Sequence, residues 1–578
     1  MTTPTIAEHA VEEPLWFGPS ERPLFGWLTM PPNGLARGGV LIAPPIGGEA
    51  SAGRRALRHV ALSLAERGFV SLHFDYHGTG DSSGNFDDAE RDRAWVDSVV
   101  EAARYLRSLG LTSISTVGMR LGATTVGVAA DVHDLQFSSM VLWDPCESGR
   151  SYLREQSALQ ALSREDFRVD TNGSIETSEF LFTQQAAAEL RKLSLSDGSP
   201  GPLAERVLVV TRDDRRISDK FRDHLENKNV EWATTTEQGP MLDIDALYAV
   251  SPLQTIDRIV KWLAEPPSSP APFDASGLAR TAVVVRALGV DPVSERCVQL
   301  GAHRLFGIVS EPIGAARGPW IVLLNSGNEN HTGRARLWVE LSRRWAGHGL
   351  RCVRFDLSGF GDSPWRPGQP DRPMYNQQWL DDVVQVAREL SPKDPSNSVL
   401  IGLCSGAYLA VEGALSLKAR GACAINPPVG IDFLHATERL ETSRRTSVRA
   451  MAVRLKQLVA NRRWDAAVLW ETLRVLLPSA YFVDVMTTLA NSGTDLLVLA
   501  STDDISPYQR VPFFRSIDIR RLLESKNFQV KFVPGLDHGM HDADGRARVA
   551  SMIDRHVLEH FAGVSPRTDS ETRPAEDS

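Results

Sequence analysis

SVLIGLCSGAYLAV, residues 398–411, is an apolar run, a turn bounded by Gly402 and Gly406, and the start of a helix. Glycine at both ends of such a turn lets strand and helix approach closely, while the central residue takes a strained backbone and projects from the carboxyl end of the strand. That residue is Cys404. The form is G-x-S-x-G, the nucleophile elbow, with cysteine in place of serine. A helix N-terminus aimed at the sulfur favours the thiolate, the reactive form. A free cysteine is ordinarily an inert core residue, so the strand–turn–helix context carries the reading.

Working outward, WIVLLN (320–325), LRCVRFD (350–356) and ACAIN (422–426) read as buried strands. RARLWVELSRRWAGHG (334–349), YNQQWLDDVVQVAREL (375–390) and GAYLAVEGALSLKA (406–419) read as helices between them. Apolar strands alternating with helices give an α/β fold, a mostly parallel sheet with helices on both faces. Ligands of such sheets sit at the carboxyl ends of strands. Two further chemical groups fall there. DLLVLASTDD ends in Asp503 and Asp504, and FQVKFVPGLDHGMH carries His538 and His541. Nucleophile, acid and base then follow in chain order as Cys404, Asp504 and His538, with Asp503 and His541 as fallbacks. The oxyanion donors expected are the N–H of Ser405 and that of Gly327, in NSGN.

The same pattern occurs earlier. LFGWLTMPP at Leu24, ARGGVLIAPP at Ala36 and FDYHGTGDS at Phe74 are matched about 280 residues later by LFGIVSEP at Leu305, ARGPWIVLLN at Ala316 and FDLSGFGDS at Phe355. Such a period means two duplicated domains, placed at 12–264 and 278–563, with the Pro- and Ser-rich stretch 265–277 as linker and a polar tail, 564–578, expected to be disordered. The first copy's elbow, TVGMRLGATT, has Arg120 at the apex, and a guanidinium is no nucleophile. Its acidic pair, Asp213 and Asp214, is retained, but VEWATTTEQGPMLD, where the base belongs, has no histidine. Arg120 either binds a carboxylate or phosphate, or pairs structurally with a neighbouring acidic residue.

In the second copy an insertion spans 429–494, with apolar residues of Val448–Val459 at helical spacing. Between Arg439 and Arg463 it is strongly basic and includes Arg444, Arg445 and Arg449. This is a solvated face or a dock for an anionic acyl donor such as coenzyme A or an acyl carrier protein.

Composition bounds the rest. In 578 residues, 42% hydrophobic and 23% charged, a net charge of −9 argues against a nucleic-acid binder. No apolar run suggests a membrane span, and the N-terminus has no secretory pattern, so a cytoplasmic protein is expected. Cysteines 146, 297, 352, 404 and 423 lack metal-ligand spacing, and neither a metal nor another cofactor is expected.

Both halves resemble the α/β-hydrolase superfamily, a resemblance that implies a lid at the insertion 429–494 of the second. Through PPIGGEASAGRR, FDYHGTGDSSG, GMRLGA and LWDPCESGRSYL the first is similar to exosortase-A-system-associated hydrolases with an arginine elbow. The second resembles the cysteine-elbow sister type through NSGNENHTGRARLW, FDLSGFGDS and GLCSGAY. Dienelactone hydrolases and polyhydroxyalkanoate synthases also carry cysteine in this turn, so the resemblance implies lactone opening or acyl transfer as options. The expected activity is Cys-dependent acyl chemistry on an ester, thioester or lactone. The rival is a non-catalytic scaffold of two binding domains.

Overall fold

GGVLIA, ISTVGM and SMVLW are buried at every position, as strands in the middle of a sheet covered on both faces must be. Successive side chains serve opposite cores. Leu41 and Ala43 join one cluster, and Val40 and Ile42 the other, as the two-residue period of a strand requires. The structure is a computed structural model. It describes residues 10–163, 174–177, 179–198, 202–226, 228–243, 248–275, 280–287, 289–327, 329–369, 376–427, 478–501 and 522–563.

The first sheet has eight strands: β1 (Val11–Phe17), β2 (Leu24–Met30), β3 (Gly38–Ala43), β4 (Phe69–Phe74), β5 (Ile114–Met119), β6 (Ser139–Trp143), β7 (Arg206–Arg212) and β8 (Val230–Thr235). Their order is β1-β2-β4-β3-β5-β6-β7-β8. β1 and β2 form an antiparallel hairpin, β2 meets β4 antiparallel, and the remaining pairs are parallel.

The second sheet has nine: β9 (Ala282–Val285), β10 (Val293–Leu300), β11 (Leu305–Pro312), β12 (Trp320–Leu324), β13 (Arg351–Phe355), β14 (Ser398–Leu403), β15 (Gly421–Ile425), β16 (Asp495–Ser501) and β17 (Phe528–Val533). The order is β9-β10-β11-β13-β12-β14-β15-β16-β17. Without β9 it repeats the first sheet strand for strand.

The duplication extends to hydrogen bonds. In the first sheet Asp75 accepts from the N–H of Asp81 at 2.9 Å, and Ser82 Oγ joins Asp75 O to Phe25 N. In the second Asp356 accepts from Asp362 N–H at 2.9 Å, and Ser363 Oγ joins Asp356 O to Phe306 N. Gly361 is required here (φ 50), because a Cβ on it would lie 2.3 Å from the Asp356 carboxylate.

The chain divides into two compact units. One is Met1–Cys297 with Ile308–Gly314 and Thr332–Gly347; the other is Val298–Gly307 with Ala315–His331 and His348–Ser578. Thr332–Gly347, a segment the repeat places in the second copy, is therefore part of the first unit. Its arginines are tied there. Arg336, buried, donates Nε to Gly80 O and Nη1 to Gly84 O, each at 2.7 Å. Arg343 donates to Asp81 O at 2.9 Å and to Glu295 at 2.7 Å. The Pro- and Ser-rich stretch is also held. Ala271–Pro272 pairs with Leu35–Ala36, and Asp274 N–H donates to Leu109 O at 3.0 Å.

Of the expected lid, 429–477, with Arg444, Arg445 and Arg449, lies outside the described residues; Pro478–Asn491 is a helix. The tail 564–578 lies outside them too. Among the described residues no helix is long and apolar enough to cross a membrane.

Candidate active site

Cys404 stands between β14 and the helix Ser405–Leu417 with φ 54 and ψ −114. A side chain is rarely held at positive φ, at a cost of about 1–3 kcal/mol, unless the surroundings impose it. Here they do. The Cys404 N–H donates to Ile425 O at 2.9 Å, and its carbonyl accepts from Ala407 N at 3.0 Å. A Cβ on Gly402 would come within 2.2 Å of the Gly406 backbone, and one on Gly406 within 2.5 Å of Asn325 O. Only glycine fits either side of the apex.

His538 follows β17, and its Nε2 lies 3.0 Å from Cys404 Sγ. Thiol and imidazole are thus within proton-transfer reach. The fallback base, His541, is engaged elsewhere: its Nδ1 lies 2.8 Å from Asp537 Oδ1, and its N–H donates to the same oxygen at 3.0 Å. Burial pushes the Asp537 carboxyl up, but the hydrogen bonds from His541 and from Asp542 N–H outweigh it and hold the group well below the usual carboxylate range. Asp503 and Asp504 lie outside the described residues.

Two residues that the sequence reading passed over fix the His538 loop. Asn426, at the carboxyl end of β15, donates Nδ2 to Asp537 O at 3.1 Å and to His538 O at 2.9 Å, while its Oδ1 accepts from Ser501 N–H at 2.7 Å. The Ser501 hydroxyl donates to Leu536 O. In the sequence Asn426 is only the polar residue that closes ACAIN, as at many strand ends.

Ser405 is buried, and its Oγ accepts the Gly327 N–H at 2.7 Å. The structure thus brings Gly327 to the elbow, but with its N–H directed at a hydroxyl. That hydroxyl must turn away before Gly327 can serve an oxyanion. Of the other cysteines, Cys297 is partly buried, as Cys404 is. Cys146, Cys352 and Cys423 are buried, and burial pushes the thiols of Cys146 and Cys423 up.

The first unit repeats the elbow with Arg120 at its apex. Arg120 has φ 55 and ψ −122, and its N–H donates to Trp143 O at 2.9 Å. Its guanidinium is 3% exposed and meets Glu49 at 3.0 Å, Asp144 at 3.2 Å and Glu155 at 2.6 Å. Burial raises the Glu49 and Asp144 carboxyls against the pull of Arg120, whereas Glu155, shared with Arg215, is held down despite burial. All three carboxylates thus surround the Arg120 guanidinium. Three carboxylates already occupy the donors and would repel a further anion. After β8, where a base would follow, Gln238 is buried and accepts from Trp143 Nε1 at 2.8 Å.

Strand order, crossover helices and elbow define an α/β-hydrolase fold. Residues 321–552 match the Alpha/beta hydrolase family. No curated protein matches the chain. Among solved structures, Est1E from Butyrivibrio proteoclasticus is similar at 17% identity, covering 43% of this chain and 98% of its own, with a TM-score of 0.34. Proline iminopeptidase from Mycobacterium smegmatis is similar at 17% identity, covering 46% and 98%, with a TM-score of 0.29.

Proposed function

We propose that the second unit is a Cys-dependent acyl hydrolase or acyltransferase acting on an ester, thioester or lactone. The 3.0 Å approach of His538 Nε2 to Cys404 Sγ at a strained elbow is the observation that carries the reading. His538 takes the thiol proton as sulfur bonds to the acyl carbon, and the N–H of Ser405, first residue of a 13-residue helix, receives the developing oxyanion. As the tetrahedral intermediate collapses, the leaving group departs with the proton from His538, and a thioester acyl-enzyme remains. Water or another acceptor then gives its proton to His538 and displaces Cys404. Asp504 is the proposed carboxylate that fixes the His538 tautomer.

An iodoacetamide-type electrophile should label Cys404 far ahead of the other four cysteines, and Cys404→Ala should abolish turnover of a chromogenic acyl ester. Uniform labelling together with unchanged turnover in the variant would leave the scaffold reading standing.

The basic run Arg439–Arg463 favours an anionic, carrier-bound acyl donor, with transfer preferred over hydrolysis. Charge reversal at Arg444, Arg445 and Arg449 should raise KM for an acyl carrier donor in a salt-dependent way and spare a simple ester. Equal effects on both donors would return the segment to a solvated face.

A further inference from the structure

β16 ends at Ser501, beside the His538 loop, and starts about 20 Å away at Asp495. At that far end Asp495 meets two histidines spaced four residues apart. His556 lies in the last turn of the helix Ala543–Val557, and His560 lies in the π-helical turn Leu558–Ala562 that continues it. Residues i and i+4 share a helix face, and a wider turn rotates the second further back over the first. The imidazole centroids are accordingly 4.2 Å apart, with planes 32° from parallel.

One carboxylate addresses both rings. His556 Nε2 is 3.2 Å from Asp495 Oδ1, and His560 Nδ1 contacts Asp495 Oδ2. The three donor atoms lie within 4.8 Å of one another. His556 is 4% exposed, yet its Nε2 is out of line for a hydrogen bond and makes none. A buried ring nitrogen without a hydrogen bond is costly, and a cation between it and the carboxylate would satisfy both. Tetrahedral bonds of about 2.0–2.1 Å put neighbouring ligand atoms about 3.3 Å apart, close to the Asp495–His556 separation. The His560 side chain is 28% exposed, which gives an ion a route from solvent.

We propose that Asp495, His556 and His560 form a binding site for a divalent transition metal, Zn²⁺ above all, which ties the C-terminal helix to the start of β16. Two neutral imidazoles and a carboxylate suit this borderline ion, with water in the remaining position. No cysteine is involved, so cysteine spacing gave no hint of it. The site stands at the opposite end of the sheet from Cys404, and its role is stability rather than acyl chemistry.

The test uses the full chain, free of any histidine tag, stripped with EDTA and carrying Cys404→Ala so that the thiol beside His538 cannot bind metal. Zn²⁺ is titrated against a chromogenic chelator, and melting is followed with and without the ion. We expect saturable binding of one equivalent and a higher Tm. His560→Ala, at a partly exposed position, should weaken binding by more than the roughly 10- to 100-fold that losing a supporting contact costs, and should abolish the zinc-dependent rise in Tm. His560→Cys, which supplies another zinc ligand, should restore binding. No saturable binding to the parent chain, or equal binding by His560→Ala, overturns the proposal.

Discussion

The Asn426 carboxamide donates to the His538 carbonyl at 2.9 Å while its oxygen accepts from Ser501 N–H. One side chain thus ties the His538 loop to the ends of β15 and β16. Asn426→Ala should lower kcat by about 10- to 100-fold, since an ångström of misplacement at reacting groups costs that much. Cys404 alkylation should slow near pH 7 and match the parent at pH 10, where the thiol ionises without help. An unchanged kcat would show that His538 is positioned by other contacts.

Cys404→Ala and His538→Ala should each cost several powers of ten in kcat, and the double variant little more, because the two act as a unit. His541→Ala should barely change turnover, because that ring serves Asp537. Asp504→Asn should impair kcat more than Asp503→Asn. The reverse order in steady-state kinetics would transfer the role of acid to Asp503.

Arg120→Met would leave Glu49, Asp144 and Glu155 around an apolar side chain. Removing one partner of a buried ionic cluster costs about 3–5 kcal/mol, readable as a lower melting temperature. Arg120→Ser should also gain no esterase activity, because Gln238, which follows β8, cannot act as a base. Measurable hydrolysis by Arg120→Ser in a Cys404→Ala background would refute this.

His59, on the helix Gly48–Ala65, is pushed down to about 4 by burial and by Arg55 and Arg58. Its native pKa lies below the unfolded value of about 6.5, so the unfolded chain takes up the proton first. The stability from neutral His59 is complete above about pH 6.5 and is lost as pH falls toward 4, by about 2 kcal/mol at pH 5. Melting curves between pH 7 and 4.5 should fall less steeply for His59→Gln. Identical slopes would remove His59 from the acid response.

Both sheets were legible because their central strands are mainly apolar, and the repeat marked the duplication. Cys404 and His538 were legible because each sits beside glycine and proline signals at a strand end. Asn426 was not, since one polar residue after a strand looks like any loop start. The Asp495–His556–His560 cluster joins residues far apart in the chain and depends on a helical turn that changes pitch, which periodicity does not reveal. Nor could the sequence say which unit Thr332–Gly347 joins, because the carbonyls that hold Arg336 are backbone atoms of Gly80, Ser82 and Gly84.

Arg120 and Cys404 hold nearly the same backbone angles, yet only the thiol is chemically able to act as a nucleophile. The uncomfortable conformation therefore belongs to the architecture before it belongs to the chemistry, as the geometric toll of turning a buried strand directly into a close-packed helix. Backbone distortion at a strand-to-helix turn is therefore no guide by itself to a reactive centre. Conversely, a protein engineer inherits in the first unit a socket already bent to present a side chain, with an arginine locked into it.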